Sequence, residues 1–172
     1  MIVGVLREIK SEESRVCMTP AGAEVMKLNG HQVLVEANAG LGSGFEDATY
    51  AAAGAEIVAT PGEIYERAGM VMHVKEPLPS EYGLIREGQV VFTYLHLAAA
   101  EELTHAMLKS GCIGIAYETI QKADRSLPLL TPMSEVAGRM AIQEGAKFLE
   151  IPQGGQGLLL GGVPGVDPGT VV

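Results

Sequence analysis

Residues 89–97 read QVVFTYLHL, an apolar run rich in Val and aromatic side chains that follows the turn signal Glu87-Gly88 and leaves a histidine, His96, just past its end. A run of this length and composition has the character of a strand buried on both faces, as in a parallel sheet. The helical pattern of residues 99–109 follows at once, so His96 falls in a β-to-α connection, the class of loop that carries binding and catalysis on a rigid scaffold. Two roles stay open for it: a histidine that caps the next helix or faces water, and one that works in the crevice where open α/β sheets place their chemistry.

The same alternation extends outward from this stretch. Residues 2–6 form a β-branched first strand, and the charged segment 7–15 after it has no apolar period and reads as a loop, with Val16-Cys17 drawing Arg15 inward. Thr19-Pro20 places an N-cap before a proline at the first helical position, starting a helix that runs to Leu28 and stops at Asn29-Gly30. Strands follow at residues 33–36 and 56–59, separated by a short Ala-rich helix at 47–53, and Thr60-Pro61 repeats the same entry for a helix reaching Arg67. Between them Gly40, Gly42 and Gly44 alternate, which fits a turn-rich connection rather than the GxGxxG of a nucleotide loop.

Residues 69–75, GMVMHVK, predict a fourth strand with Met70, Met72 and Val74 on one face and Val71, His73 and Lys75 on the other, so that Lys75 arrives at its C-terminal end. Glu76-Pro77-Leu78-Pro79 then enforces a rigid, non-helical exit. Another strand is expected at 112–117. Thr131-Pro132 opens the longest helical pattern, to about residue 150, with Val136, Met140, Ala141, Phe148 and Leu149 as its buried stripe. Residues 151–172 hold seven glycines between Gly154 and Gly169 and three prolines, which describes a linker, and residues 169–172 look like the start of a strand. The fold class is therefore α/β with a doubly wound, mostly parallel sheet, Rossmann-like or flavodoxin-like, divided into a substrate domain at 1–130, a connecting helix at 131–150 and a glycine-rich boundary at 151–172.

A chain of 172 residues suits one well-packed domain with some length left over. With a net charge of −9 and no basic block, neither a nucleic-acid surface nor an anionic membrane surface is indicated. The N-terminus is no signal peptide and no apolar stretch approaches the ~18 residues of a membrane span, so a cytoplasmic location is expected. Cys17 and Cys112 are isolated, with no zinc spacing and no disulfide framework, and no metal ligand set stands out.

Arg15, Lys75 and His96 fall at corresponding ends of successive β-to-α units, which in a doubly wound sheet share one crevice. Two cations there suit a carboxylate, with Arg15 able to grip it as a bidentate fork and Lys75 as a point charge, while an imidazole that titrates near neutrality can shuttle a proton. Taken singly, each of the three is as well explained by solvation or a strand end, and His73 reads as a packed residue. Ser134, at a helix N-terminus, either donates to an anion such as a pyrophosphate or is an ordinary first-turn residue.

The motifs GVLREIKSEESRVCMTP around Arg15, VMHVKEPLP around Lys75, VVFTYLHLAA around His96, SLPLLTPMSEVAGRMA at 126–141 and GGQGLLLGGVPGV at 154–166 together resemble the N-terminal part of the alanine dehydrogenases, in the alanine dehydrogenase and nicotinamide nucleotide transhydrogenase family. The resemblance spans the whole chain. It implies reversible oxidative deamination of L-alanine with NAD to pyruvate and ammonium by a cytoplasmic homo-oligomer, hexameric in the family. It assigns Arg15 and Lys75 to substrate binding, His96 to acid/base catalysis, and Met133 and Ser134 to the nicotinamide side of the cleft.

The family continues into a Rossmann domain with its own GxGxxG and a further catalytic acid, whereas this chain stops at Val172. An N-terminal fragment that is inactive by itself is therefore expected. Two other readings stand beside it. One is the nucleotide-binding domain of a proton-translocating transhydrogenase, disfavoured by the intact KEPLP and TYLHLA stretches. The other is a non-catalytic module that binds carboxylates or assembles with a homologue.

Overall fold

Short apolar runs joined by helical connections return the chain to the same end of each strand, and the resulting sheet is parallel throughout. The computed structural model describes residues 1–171 and falls into two units, Met1–Ile120 and Gln121–Val172. The first unit holds β1 (Ile2–Val5), β2 (Gln32–Glu36), β3 (Glu56–Val58), β4 (Met70–Met72), β5 (Val90–Thr93) and β6 (Ile113–Ala116). They form one six-stranded sheet in the order β3-β2-β1-β4-β5-β6, the doubly wound arrangement whose direction of winding reverses between β1 and β4. Register is set by pairs such as Val3↔Val33 and Val3↔Met70, so β1 lies between both halves of the sheet.

Alternation along the strands divides the interior into two layers. Val3, Val5, Val33 and Val35 face Ala23 of α1 (Pro20–Leu28) and Tyr50 of α2 (Asp47–Ala52). Leu34, Val71 and Val91 face Ile64 and Tyr65 of α3 (Pro61–Arg67) and Leu103 and Met107 of α4 (Glu101–Ser110). Gly4 lets α3 sit directly on β1, since a Cβ at this position would overlap the Ile64 side chain and press on Ala68 Cβ at 3.1 Å.

The entry device works twice as the sequence predicts: Thr19 accepts from Gly22 N–H and Thr60 from Glu63 N–H. The third differs. Residues 127–130 already form a hydrogen-bonded turn, so α5 (Thr131–Phe148) takes Thr131 inside the helix, where its hydroxyl donates to the Leu127 carbonyl at 2.9 Å. The expected buried stripe of α5 is absent: Val136, Met140 and Phe148 are 51%, 47% and 59% exposed. Within its own unit the helix packs on the short 3₁₀ turn Ile151–Gln153, which is too small to cover a face of it.

β4 stops at Met72, so Lys75 lies beyond the strand and not at its end, because the amides of Val74 and Lys75 turn to a carboxylate of the β1 loop. β5 buries Val91 and Thr93 on one face and only half-buries Val90 and Phe92 on the other. Residues 169–171 form no strand, and Val172 lies outside the described residues. Among the described residues no helix is long and apolar enough to cross a membrane.

Gly4→Ala is expected to lower stability by about 1–3 kcal/mol through overpacking against α3. Urea denaturation checks it: the midpoint should fall with the slope unchanged, and an unaltered midpoint would mean that α3 moves away freely.

Candidate active site

The loops after β1, β4 and β5 leave the C-terminal edge of the sheet beside the reversal point, and each carries one of the singled-out residues. Glu8 lies at the start of the β1 loop, its side chain only 4% exposed. Its carboxylate accepts the N–H of Val74 at 2.6 Å and of Lys75 at 3.2 Å, and it contacts His73 Nδ1 at 3.4 Å. The other nitrogen of His73 meets Glu81 at 3.1 Å, and the Tyr65 hydroxyl lies 3.3 Å from the same nitrogen while donating to Glu81 at 3.4 Å.

Burial alone would push the His73 pKa down, but hydrogen bonds and charge from Glu8 and Glu81 outweigh it and raise it to about 9. Burial pushes Glu81 up, and His73 more than reverses that. His73 is thus an imidazolium with both nitrogens donating, a packed residue as expected, though packed between charges. Lys75 is gripped on both sides of its backbone, since its carbonyl accepts from the Thr93 hydroxyl at 2.8 Å.

Arg15 presents its fork to an internal carboxylate. Nε and Nη2 reach Glu13 at 2.8 and 2.6 Å, and the Arg15 N–H adds a third bond at 2.9 Å. The Arg15 hydrogen bonds hold Glu13 down at about 2 against the opposing effect of burial, and the charge of Lys75 adds to the lowering, so Arg15 and Lys75 act on one carboxylate. Glu13 occupies the bidentate geometry that a substrate carboxylate would use.

His96 has left-handed backbone, φ 48° and ψ 35°, and its side chain makes no capping hydrogen bond to the 3₁₀ turn Leu97–Ala99 that it precedes. Its N–H and that of Leu95 donate to Glu118, just past β6, at 2.9 and 3.1 Å. The exposed imidazole stacks on Tyr94, ring centroids 6.1 Å apart, and Tyr94 meets Tyr117 edge-on at 5.0 Å. A recess of about 390 Å³ lies beside it, lined by Leu95, Ala116, Glu118 and Thr119. Burial pushes Glu76 up, and the hydrogen bond and charge of Lys10, with a backbone hydrogen bond, together bring it below its ordinary range.

Met133 and Ser134 lie in the first turn of α5, in the second unit. Ser134 lines a recess of about 410 Å³ with Leu127, Leu130, Thr131 and Glu135. The amides of Thr131, Met133 and Ser134 already bond to the carbonyls of Leu127 and Leu130, so this helix start offers an anion a hydroxyl and not a nest of free N–H groups. Sequence reasoning missed Glu8, Glu13, Glu118 and Tyr94. Only the distance of Glu8 and Glu118 from a strand end, where amides need acceptors, could have signalled them.

The strand order, the reversal point and the three loops gathered there define a doubly wound α/β domain with its polar groups collected at the carboxyl edge. Residues 4–137 match the alanine dehydrogenase/PNT N-terminal domain and residues 141–172 the alanine dehydrogenase/PNT C-terminal domain, and the chain belongs to this family. It is 60% identical to an alanine dehydrogenase of Methanococcus maripaludis, over 100% of this chain and 46% of that protein. Against an alanine dehydrogenase of Bacillus subtilis it is 60% identical, over 99% of this chain and 45% of that protein. The chain therefore spans slightly under half the length of these relatives. A solved L-alanine dehydrogenase superposes with a TM-score of 0.86 at 53% identity, covering 98% of this chain and 46% of that one. A transhydrogenase from Sinorhizobium meliloti is more distant, with a TM-score of 0.67 at 30% identity over 73% of this chain and 37% of that one.

The buried His73 makes a prediction about pH. Its pKa rises from 6.5 to about 9 on folding, so its contribution to stability is complete below 6.5 and is lost as pH rises through 9. The unfolding free energy should decline across that window, and His73→Gln should flatten the decline. A series of urea melts at stepped pH tests this, and an equal slope in both proteins would show that His73 is not charged in the fold.

Proposed function

We propose that this chain is the substrate-binding part of an NAD-dependent L-alanine dehydrogenase, which interconverts L-alanine with pyruvate and ammonium. Residues 1–130 form the substrate domain, 131–150 a connecting helix and 151–172 the boundary toward a cofactor-binding domain; the assembly is a cytoplasmic homo-oligomer, a hexamer by family resemblance. The observation that supports the reading most is the bidentate grip of Arg15 on the carboxylate of Glu13, a carboxylate that the charge of Lys75 also favours. The transhydrogenase reading is weaker on identity, 30% against 53% for the solved dehydrogenase.

Arg15 and Lys75 hold the substrate carboxylate and carbonyl oxygen, and the substrate takes over contacts that Glu13 makes in its absence. His96, aimed by its loop, moves the protons: as a base it draws one from the water that adds to the imine carbon, and as an acid it returns one to the departing ammonia. In the reductive direction the order inverts. NAD, when bound, would supply the hydride acceptor for the substrate's C2, and Met133 and Ser134 are the residues that would lie on its nicotinamide side. The residues described here fit that end of the cofactor and no more, for α5 keeps its first amides and no GxGxxG opens a helix.

The test completes this chain with the C-terminal half of the Bacillus subtilis relative and follows NADH oxidation with pyruvate and ammonium. Arg15→Ala and Lys75→Ala should each weaken pyruvate binding by about 1.5–3 kcal/mol. His96→Asn should lower kcat by roughly 10²- to 10⁴-fold with cofactor affinity little changed. A destabilised but fully active His96→Asn, or unchanged pyruvate affinity in both cation variants, would overturn the assignment. The 172-residue chain alone should bind pyruvate without turning it over, because no GxGxxG among its residues opens a helix to hold the dinucleotide against the substrate; turnover by this species would refute that.

A further inference from the structure

We propose that Glu8 and Glu118 are positioning residues, each a carboxylate from a neighbouring strand's loop that clamps the backbone amides beneath one working side chain: Glu8 beneath Lys75 and Glu118 beneath His96. The inference rests on the dehydrogenase reading and deepens it. Glu8 is almost fully buried, and Glu118, which also lines the recess beside His96, commits its carboxylate to the loop amides. Glu118 uses one oxygen for both amides, His96 N–H at 2.9 Å and Leu95 N–H at 3.1 Å, with its second oxygen 3.4 Å from Leu95 N. Those two amides lie where β5 has ended, and His96 is in a left-handed conformation that side chains other than glycine adopt infrequently.

Glu8 divides its two oxygens between Val74 N–H at 2.6 Å and Lys75 N–H at 3.2 Å, just where β4 has ended. A carboxylate accepting amides is a strong, charge-assisted contact, and its two oxygens fix the direction of the loop as well as its distance. The donors sit on β4 and β5 loops, and the acceptors come from the strand on the far side of each, β1 for β4 and β6 for β5. Release of either clamp leaves the reacting side chain in place chemically and misaimed geometrically, and misplacement by about 1 Å can cost about 10²-fold.

The two clamps predict different kinetic signatures. In the completed enzyme, Glu118→Ala should lower kcat about 100-fold with the pyruvate KM within about twofold, and Glu118→Gln, which keeps one acceptor oxygen, should recover part of that loss. Because Glu8 also pairs with His73, it is changed to Gln in a His73→Gln background, with His73→Gln alone as control. That double variant should raise the pyruvate KM about tenfold over the control and leave kcat within about threefold. On the 172-residue chain, pyruvate binding should weaken with the Glu8 change and stay constant with Glu118→Ala, and amide exchange should quicken at Val74 and Lys75 in the first and at Leu95 and His96 in the second.

If both residues are merely structural, the melting temperature falls while KM and kcat per folded site stay put, which overturns the proposal, as does unselective amide exchange. A completed wild-type enzyme without turnover overturns the dehydrogenase reading instead, and the binding and exchange measurements on the chain then still decide whether the clamps position these loops.

Discussion

A parallel sheet ends in a row of backbone N–H groups that have left the ladder and have no strand to bond. An unpaired buried amide costs about 1–3 kcal/mol, so each loop leaving the carboxyl edge needs an acceptor. In this molecule the acceptors are carboxylates passed from strand to strand. Glu36 at the end of β2 takes Arg7 N–H, Glu8 in the β1 loop takes Val74 and Lys75, and Glu118 after β6 takes Leu95 and His96, while Glu81 takes Leu78 within the β4 loop itself. The first three tie loops of neighbouring strands together along the edge of the sheet. Nothing in the sequence separates these acidic side chains from surface charge.

Those carboxylates also explain the pattern of charge. Burial pushes Glu36 up and the Arg7 amide and charge offset that only in part, whereas at Glu81 the lowering by His73, the Leu78 amide and the Tyr65 hydroxyl together overcomes burial. Arg15 holds Glu13 at about 2. On the proposed reading, an incoming carboxylate would meet an arginine already paired with Glu13, so binding would exchange one carboxylate for another and would favour a ligand that also engages Lys75.

Much of the architecture could be read from the residues because its signals are local. Thr19-Pro20 and Thr60-Pro61 start helices by a mechanism contained in four residues, and the strand runs are too short and too apolar to do anything else. Thr131-Pro132 looked the same and failed, since a preceding turn at 127–130 had already begun the spiral. The apolar residues of α5 fit a period whose burial depends on a partner surface, which periodicity cannot supply. For the site, the βα order put Arg15 and His96 in loops at the carboxyl edge, but it set Lys75 on a strand that ends at Met72, and it gave no sign of the supports. Glu8 meets Val74 across 66 positions and Glu118 meets His96 across 22, and nothing in a mixed-sign charged segment marks which acid will turn inward.

The left-handed backbone at His96 restricts what that position can become. Side chains other than glycine enter this region rarely, with Asn, Asp and His the best tolerated. Of that short list only His and Asp can carry a proton, and Asp is already ionised well below neutrality. The backbone of the loop therefore favours, before any ligand arrives, the one member of that short list whose ordinary pKa lies near neutrality. A change here to Asn or Gly removes the proton carrier at little conformational expense, whereas Lys, Tyr or Glu would bear the cost of a left-handed side chain, one the chain already meets at Glu12 and Arg125.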